Sequence, residues 1–314
     1  MKTYLLILLI TSLLMLVLPA LGHAWPIASA TIQHLDSKNF GQRWSQVFSN
    51  EDANIKLLMQ TLSRSKTGTT LLKLASKKAN THTNDLLEHM IKSGAHSASD
   101  ATIIRKTRNN TSSSASANSD QLKIDYRYSI TIDREASIYT ATLDLAHELT
   151  HFVFRQELNP YSKDFTLKNF ITSIIEGPGG EASAYYIECK VWHELFRSQY
   201  PNKYLCEELT FSGNSSLKVV ASEFYSLGDY YDDFMALISK FGLRPSDFPL
   251  IDRHTSPFIS AVSDIPYPLA AAKDFIRLWK KSCQNDLKMQ ISTRGSAQLP
   301  QEHFDRCKDL LLGI

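Results

Sequence analysis

Several things are scarce in this chain, and each scarcity closes off a class of explanation. Its 314 residues hold only four cysteines, and no two of them form a Cys-x-x-Cys pair. A cysteine-rich metal site is therefore set aside. Charge of one sign is missing too: 34 Lys and Arg oppose 32 Asp and Glu, for a formal net of +2. That balance points to no nucleic-acid partner and to no acidic one, and local pairs such as Lys77-Lys78 and Lys280-Lys281 read as solvated helix faces. Only one long apolar run occurs, close to the start, so no stable membrane span is expected once it is removed. No cysteine stands directly after that run, which argues against a lipoprotein anchor. No internal repeat is visible.

What is present begins with that apolar run. Lys2 supplies a positive start, Leu5 to Leu21 is almost wholly apolar, and Gly22-His23-Ala24 offers small residues for cleavage. Residues 1–24 therefore read as a signal peptide and the mature protein as secreted or periplasmic. A retained signal anchor is the alternative, which Pro19 and the small-residue site disfavour. All four cysteines (Cys189, Cys206, Cys283 and Cys307) follow the signal, so two disulfides are expected. Of the three possible pairings, the local ones, Cys189–Cys206 and Cys283–Cys307, each close a short loop and are preferred.

The remaining chain, roughly 290 residues, is long enough for one large domain or two small ones. A 43% hydrophobic and 21% charged composition makes it an ordinary globular protein. Residues 25–108 read as a mostly helical N-terminal region. Within it Phe40, Trp44, Val47 and Phe48 are spaced for one helical face, Thr67-Gly68-Thr69 marks a turn, and a helix begins at Leu71-Leu72. Residues 109–120 form a Ser/Asn-rich loop that has nothing apolar to bury. Asn110 and Asn214 match glycosylation acceptors, relevant only in a eukaryotic secretory pathway. Residues 121–314 read as the catalytic region with a helical C-terminal part, with helices expected over 165–176, 181–197, 216–240, 268–282 and 301–312.

The most informative stretch is His147-Glu148-Leu149-Thr150-His151. Residues four apart share a helix face, so imidazoles at 147 and 151 can hold one metal ion between them. Glu148 sits beside that face, where it can take a proton from a water that the metal has acidified. Leu143, Leu145, Ala146, Leu149, Phe152 and Val153 surround the pattern, and no Pro or Gly interrupts 137–158, so a helix is expected there. The competing reading is a buried helix that merely carries these three polar groups, at a cost if they share no partner.

Upstream, Leu122, Ile124, Tyr126, Tyr128, Ile130 and Ile132 alternate with Lys123, Asp125, Arg127, Ser129, Thr131 and Asp133. This period-2 pattern predicts a half-buried strand. A strand leading into a His-Glu-x-x-His helix resembles the zincin metallopeptidases. The resemblance implies an α+β, helix-rich domain with a small sheet packed on the active-site helix. Its edge strand would line the substrate cleft, where an extended peptide adds through main-chain hydrogen bonds. On that reading 122–133 is the edge strand; an ordinary sheet strand without a substrate role is the equal alternative.

Two histidines need a third protein ligand, with a fourth position left open. Gly177-Pro178-Gly179-Gly180 breaks one helix, and the next carries Glu181, Tyr185, Glu188 and Trp192 on one face. This is similar to the glutamate-ligand zincins (gluzincins), in which a second helix donates a Glu followed by small residues. The likeness assigns Glu181 as third ligand, with Glu176 as runner-up; a solvated helix-terminal glutamate is the bland alternative for either. Neither the third histidine of the metzincins nor the Asn-Glu pattern of thermolysin-like enzymes is present, so the subfamily stays open.

For a donor to the developing oxyanion, Tyr185 is chosen over Tyr186, His193 and His254, each of which also has a structural reading. Asp144 and Glu188 are candidates to orient His147. Two His and one Glu prefer zinc, one ion per chain. The chain is thus expected to be an exported zinc metallopeptidase acting on protein or peptide, with Glu148 as general base. Two alternatives are a bacterial cell-wall peptide hydrolase and a non-catalytic zinc-stabilised binding or scaffold protein. No wall-targeting module supports the first, and Glu148 has no purpose in the second. Substrate preference, oligomeric state and any pro-segment role of 25–108 stay open.

Overall fold

The computed structural model describes residues 39–82, 87–106, 123–209, 211, 215–293 and 305–308. The 1–24 segment, the 109–120 loop, Asn110 and Asn214 lie outside them. Helices α1 (Glu51–Ser63), α2 (Lys66–His82) and the short α3 (Leu87–Met90) come first. Strands β1 (Ile91–Gly94), β2 (Ala98–Lys106) and β3 (Lys123–Asp133) follow, and then α4 (Ile138–Phe154). The longer helices that follow are α5 (Leu167–Ile175), α6 (Glu181–Leu195), α7 (Ser215–Phe224), α8 (Tyr231–Ser239) and α9 (Tyr267–Thr293), joined by irregular segments. The fold is α+β and helix-rich, and its small sheet packs on α4, the helix that carries the His-Glu-x-x-His motif.

The strand expected at 122–133 is β3, and its alternation buries Ile130 and Ile132 completely. Its place in the sheet differs from the edge position. The strand order is β1-β3-β2, so β3 is central. It pairs in parallel with β1 (Ile91 opposite Ile130) and antiparallel with β2 (Ala101 opposite Tyr128). Among the described residues β1 covers β3 only over Ile130–Asp133, so over 123–129 β3 has a strand partner on one side alone, and β2 holds the antiparallel edge. The local pattern sets which face is buried but says nothing about neighbours.

Four local expectations are corrected. Thr67-Gly68-Thr69 lies inside α2, not in a turn. Gly68 is there because α1 presses on it: a Cβ at 68 would stand 2.2 Å from the Leu62 carbonyl oxygen. Phe40 and Trp44 are buried, but the stretch 40–48 holds only a single 3-10 turn, Trp44–Gln46. That segment runs beside the entry to α4, with Ile138 N–H donating to Gln42 O (2.8 Å) and Tyr139 N–H to Phe40 O (3.0 Å). The helix expected over 216–240 is two, α7 and α8, interrupted where Gly228 adopts φ +53°. Lys78 is no solvated charge: it pairs with Glu157 at 3.2 Å and lies over the rings of Tyr128 and Phe152.

Both local disulfides form, Cys189–Cys206 and Cys283–Cys307. Among the described residues no helix is long and apolar enough to cross a membrane.

Candidate metal centre

Helix α4 starts at Ser137, whose hydroxyl accepts the Thr140 N–H at 3.1 Å. Leu143, Leu145, Ala146, Leu149 and Phe152 bury its apolar side. That packing fixes the rotation of the helix and turns His147 and His151 together, their ring centroids 4.7 Å apart. Helix α6 packs against α4. It begins at Glu181, directly after the Gly177–Gly180 turn, in which Gly180 N–H closes onto Gly177 O at 2.7 Å.

Gly179 is required for more than the turn. It has φ +66°, and a Cβ there would meet the Arg155 backbone nitrogen at 2.4 Å. Backbone therefore lies directly on the end of α4, and this contact lets the Gly179 carbonyl reach His151 Nδ1 at 2.8 Å. Arg155 Nη2, which can only donate, also lies 2.8 Å from Nδ1; in the tautomer whose Nδ1–H donates to the carbonyl, the Nε2 lone pair of His151 is left for a metal.

The ligand atoms of His147, His151 and Glu181 all lie within 4.8 Å of one another, and all three residues are largely buried. His147 Nε2 is 3.2 Å from Glu181 Oε2, and His151 Nε2 is 3.4 Å from Glu181 Oε1. Ligands held about 2.1 Å from a tetrahedral zinc stand roughly 3.4 Å apart, so the donor set fits that ion. Glu181 is thereby the third member of the cluster. Glu176 is not: it lies exposed at the end of α5 and accepts the Tyr225 hydroxyl at 2.6 Å.

Electrostatics act unequally on the same atoms. Burial and the neighbouring Arg155 hold His151 down to about 4, which keeps it neutral as a ligand must be. Burial opposes ionisation of Glu181, but His151, His147 and Arg155 overcome it and keep the carboxylate well below its ordinary range. Burial and the charge of Glu181 raise Glu148 to about 8, against the pull of His147. Burial would lower His147, yet its bonds to Glu181 and Glu188 hold it well above the usual imidazole range.

The other candidates separate cleanly. Glu188 Oε2 lies 3.0 Å from His147 Nδ1 and is the group that orients this imidazole. Asp144 accepts from Ser97 Oγ at 2.6 Å instead. Tyr185 is buried, and its hydroxyl donates to Tyr204 O at 2.6 Å, so its proton is committed to a structural bond and not to the cluster. Tyr186 lies against Phe211, exposed His193 accepts from Arg197, and exposed His254 pairs with Asp252.

Three further residues around the ligands were not picked out from the sequence. Arg155 donates to Glu181 Oε1 at 3.1 Å, and Lys203 Nζ pairs with Glu188 Oε1 at 2.8 Å. Tyr267, at the start of α9, has its phenol raised well above the ordinary range by burial and then by the charges of Glu181 and Glu148. Arg155 had a weak signal, four residues beyond His151 on the motif's own face. Lys203 and Tyr267 come from distant segments and had none.

No family model, no curated protein and no solved structure matches this chain. The site therefore stands on its own geometry.

Proposed function

We propose that this chain is an exported zinc-dependent peptidase, with His147, His151 and Glu181 as ligands. The observation that carries the reading is the convergence of those three ligand atoms within 4.8 Å, beside the buried carboxylate of Glu148. When bound, zinc supplies Lewis acidity, acidifying a water and polarising a substrate carbonyl. Glu148 takes the proton of the attacking water and returns it to the amine nitrogen as the carbon–nitrogen bond breaks. Tyr267, whose phenol feels the charges of Glu181 and Glu148, is the candidate we propose for donor to the developing oxyanion, to be tested by its phenylalanine variant. Tyr185 is not carried forward in that role. On this reading an extended peptide would add to the sheet through main-chain hydrogen bonds, along the outer row of β2 or the one-sided 123–129 stretch of β3. Two disulfides and no free cysteine among the described residues support an oxidising, exported setting.

The deciding experiment is Glu148→Gln, assayed for zinc content and for hydrolysis of casein and of isolated peptidoglycan. Zinc retained with casein hydrolysis reduced by about 10²-fold or more is the expected result. Turnover of peptidoglycan alone would move the chain to cell-wall peptide hydrolysis. A wild type that holds zinc and cleaves neither substrate would leave a zinc-stabilised binding protein.

A further inference from the structure

Glu188 is a buried carboxylate with both oxygens in use. Oε2 lies 3.0 Å from His147 Nδ1, and Oε1 lies 2.8 Å from Lys203 Nζ. The lysine is itself mostly enclosed, its side chain 19% exposed, so this is no solvated surface pair. Lys203 belongs to an irregular segment after α6, and α6 holds that segment at three successive turns. Tyr185 donates to Tyr204 O at 2.6 Å, Cys189 is bonded to Cys206, and Trp192 Nε1–H donates to Tyr200 O at 2.9 Å. These attachments flank Glu188 on its own helix face. Between Lys203 and Cys206, Leu205 has φ +60°, one of two non-glycine residues with positive φ among those described. Such a conformation costs about 1 kcal/mol or more and persists where surrounding contacts impose it.

We infer that Lys203, held in place by the Cys189–Cys206 disulfide, is a positioning residue for the metal ligand His147, acting through Glu188. The inference rests on the zinc reading above and deepens it. Two-point attachment fixes the plane of the Glu188 carboxylate, and that plane fixes the imidazole, with Nε2 directed at Glu181. Removing the ammonium leaves Oε1 buried without its partner and frees the carboxylate to turn away from Nδ1. The disulfide acts as a permanent clamp: Cys189 and Cys206 are 0% and 1% exposed, out of reach of a cellular thiol.

The test is zinc affinity of the purified, oxidised protein, measured by competition against a chelator. Wild type is compared with Lys203→Met, Lys203→Arg and Lys168→Met, the last removing an exposed pair with Asp247. The visible spectrum of the cobalt-substituted proteins reports ligand geometry. Lys203→Met is expected to weaken zinc binding about tenfold or more and to alter the cobalt bands. Lys203→Arg should recover most of both, and Lys168→Met should change neither. A folded Lys203→Met with wild-type affinity and spectrum overturns the inference. Should Lys203→Met not fold, Lys203→Gln, which keeps a donor and drops the charge, decides it in the same two ways. A folded wild type that takes up no zinc overturns the zinc reading first and this inference with it, so the two failures are told apart by the wild type alone.

Discussion

At the scale of the residue, Tyr185 and Tyr267 stand in different surroundings. Tyr185 is one turn from a metal ligand, so proximity along the helix recommended it, but its hydroxyl is bonded to Tyr204 O. Tyr267 is 86 positions beyond Glu181 in the chain yet feels the charges of Glu148 and Glu181. Removing the two hydroxyls should therefore have opposite signatures. Tyr267→Phe is expected to lower kcat about 10²-fold with zinc content and thermal stability kept. Tyr185→Phe is expected to lose about 1 kcal/mol of stability with kcat nearly unchanged. Steady-state kinetics and thermal unfolding on both variants check this, and a Tyr267→Phe enzyme at wild-type kcat would remove that residue from the mechanism. His147, Glu148 and His151 were legible because helical periodicity places them together without help from the rest of the fold. Glu181 was legible because glycines end one helix just before it. Lys203 and Tyr267 were not, since only tertiary contact brings them to the site.

At the scale of the element, the site depends on how closely two helices meet. The Gly177–Gly180 turn both starts α6 and lays its backbone on the end of α4. Gly179→Ala tests that double duty. Its Cβ would collide with backbone, Arg155 N at 2.4 Å and Phe154 C at 2.7 Å, in a left-handed conformation that alanine disfavours. A loss of about 2 kcal/mol or more is expected. Zinc affinity should fall with it, because the Gly179 carbonyl that receives His151 Nδ1–H has to move. Thermal melts with and without zinc measure both effects; an alanine variant matching wild type in each would show that the close approach is dispensable. The sequence marked this turn by its glycines, as it marked β3 by alternation. It did not mark β1 or β2, whose short or polar stretches carry no clear period, nor the central place of β3. Gly68 misled in the other direction: the same residue type that signals a turn also permits helix contact, and only the neighbour, Leu62, distinguishes the two.

At the scale of the whole molecule, two disulfides of similar span make different contributions. Cys189–Cys206 closes a separation of 17 residues and Cys283–Cys307 one of 24, so each restricts the unfolded chain by a similar amount, about 3 kcal/mol in the loop-entropy account. On that term alone, replacing either pair with serines should lower the stability of the zinc-free protein about equally. Their surroundings are unequal, however. Cys189 adjoins Glu188 and its partner lies three residues past Lys203, whereas Cys283 lies 16 residues along α9 from Tyr267, about 24 Å by helical rise. Zinc bound only by the folded state adds stability that grows with its affinity. The Cys283→Ser/Cys307→Ser protein should therefore keep the full zinc-induced rise in Tm, and the Cys189→Ser/Cys206→Ser protein should lose part of it. Melting both variants across a zinc titration separates the two contributions. Equal zinc responses would mean that the disulfide beside α6 stabilises the fold without serving the metal ligands.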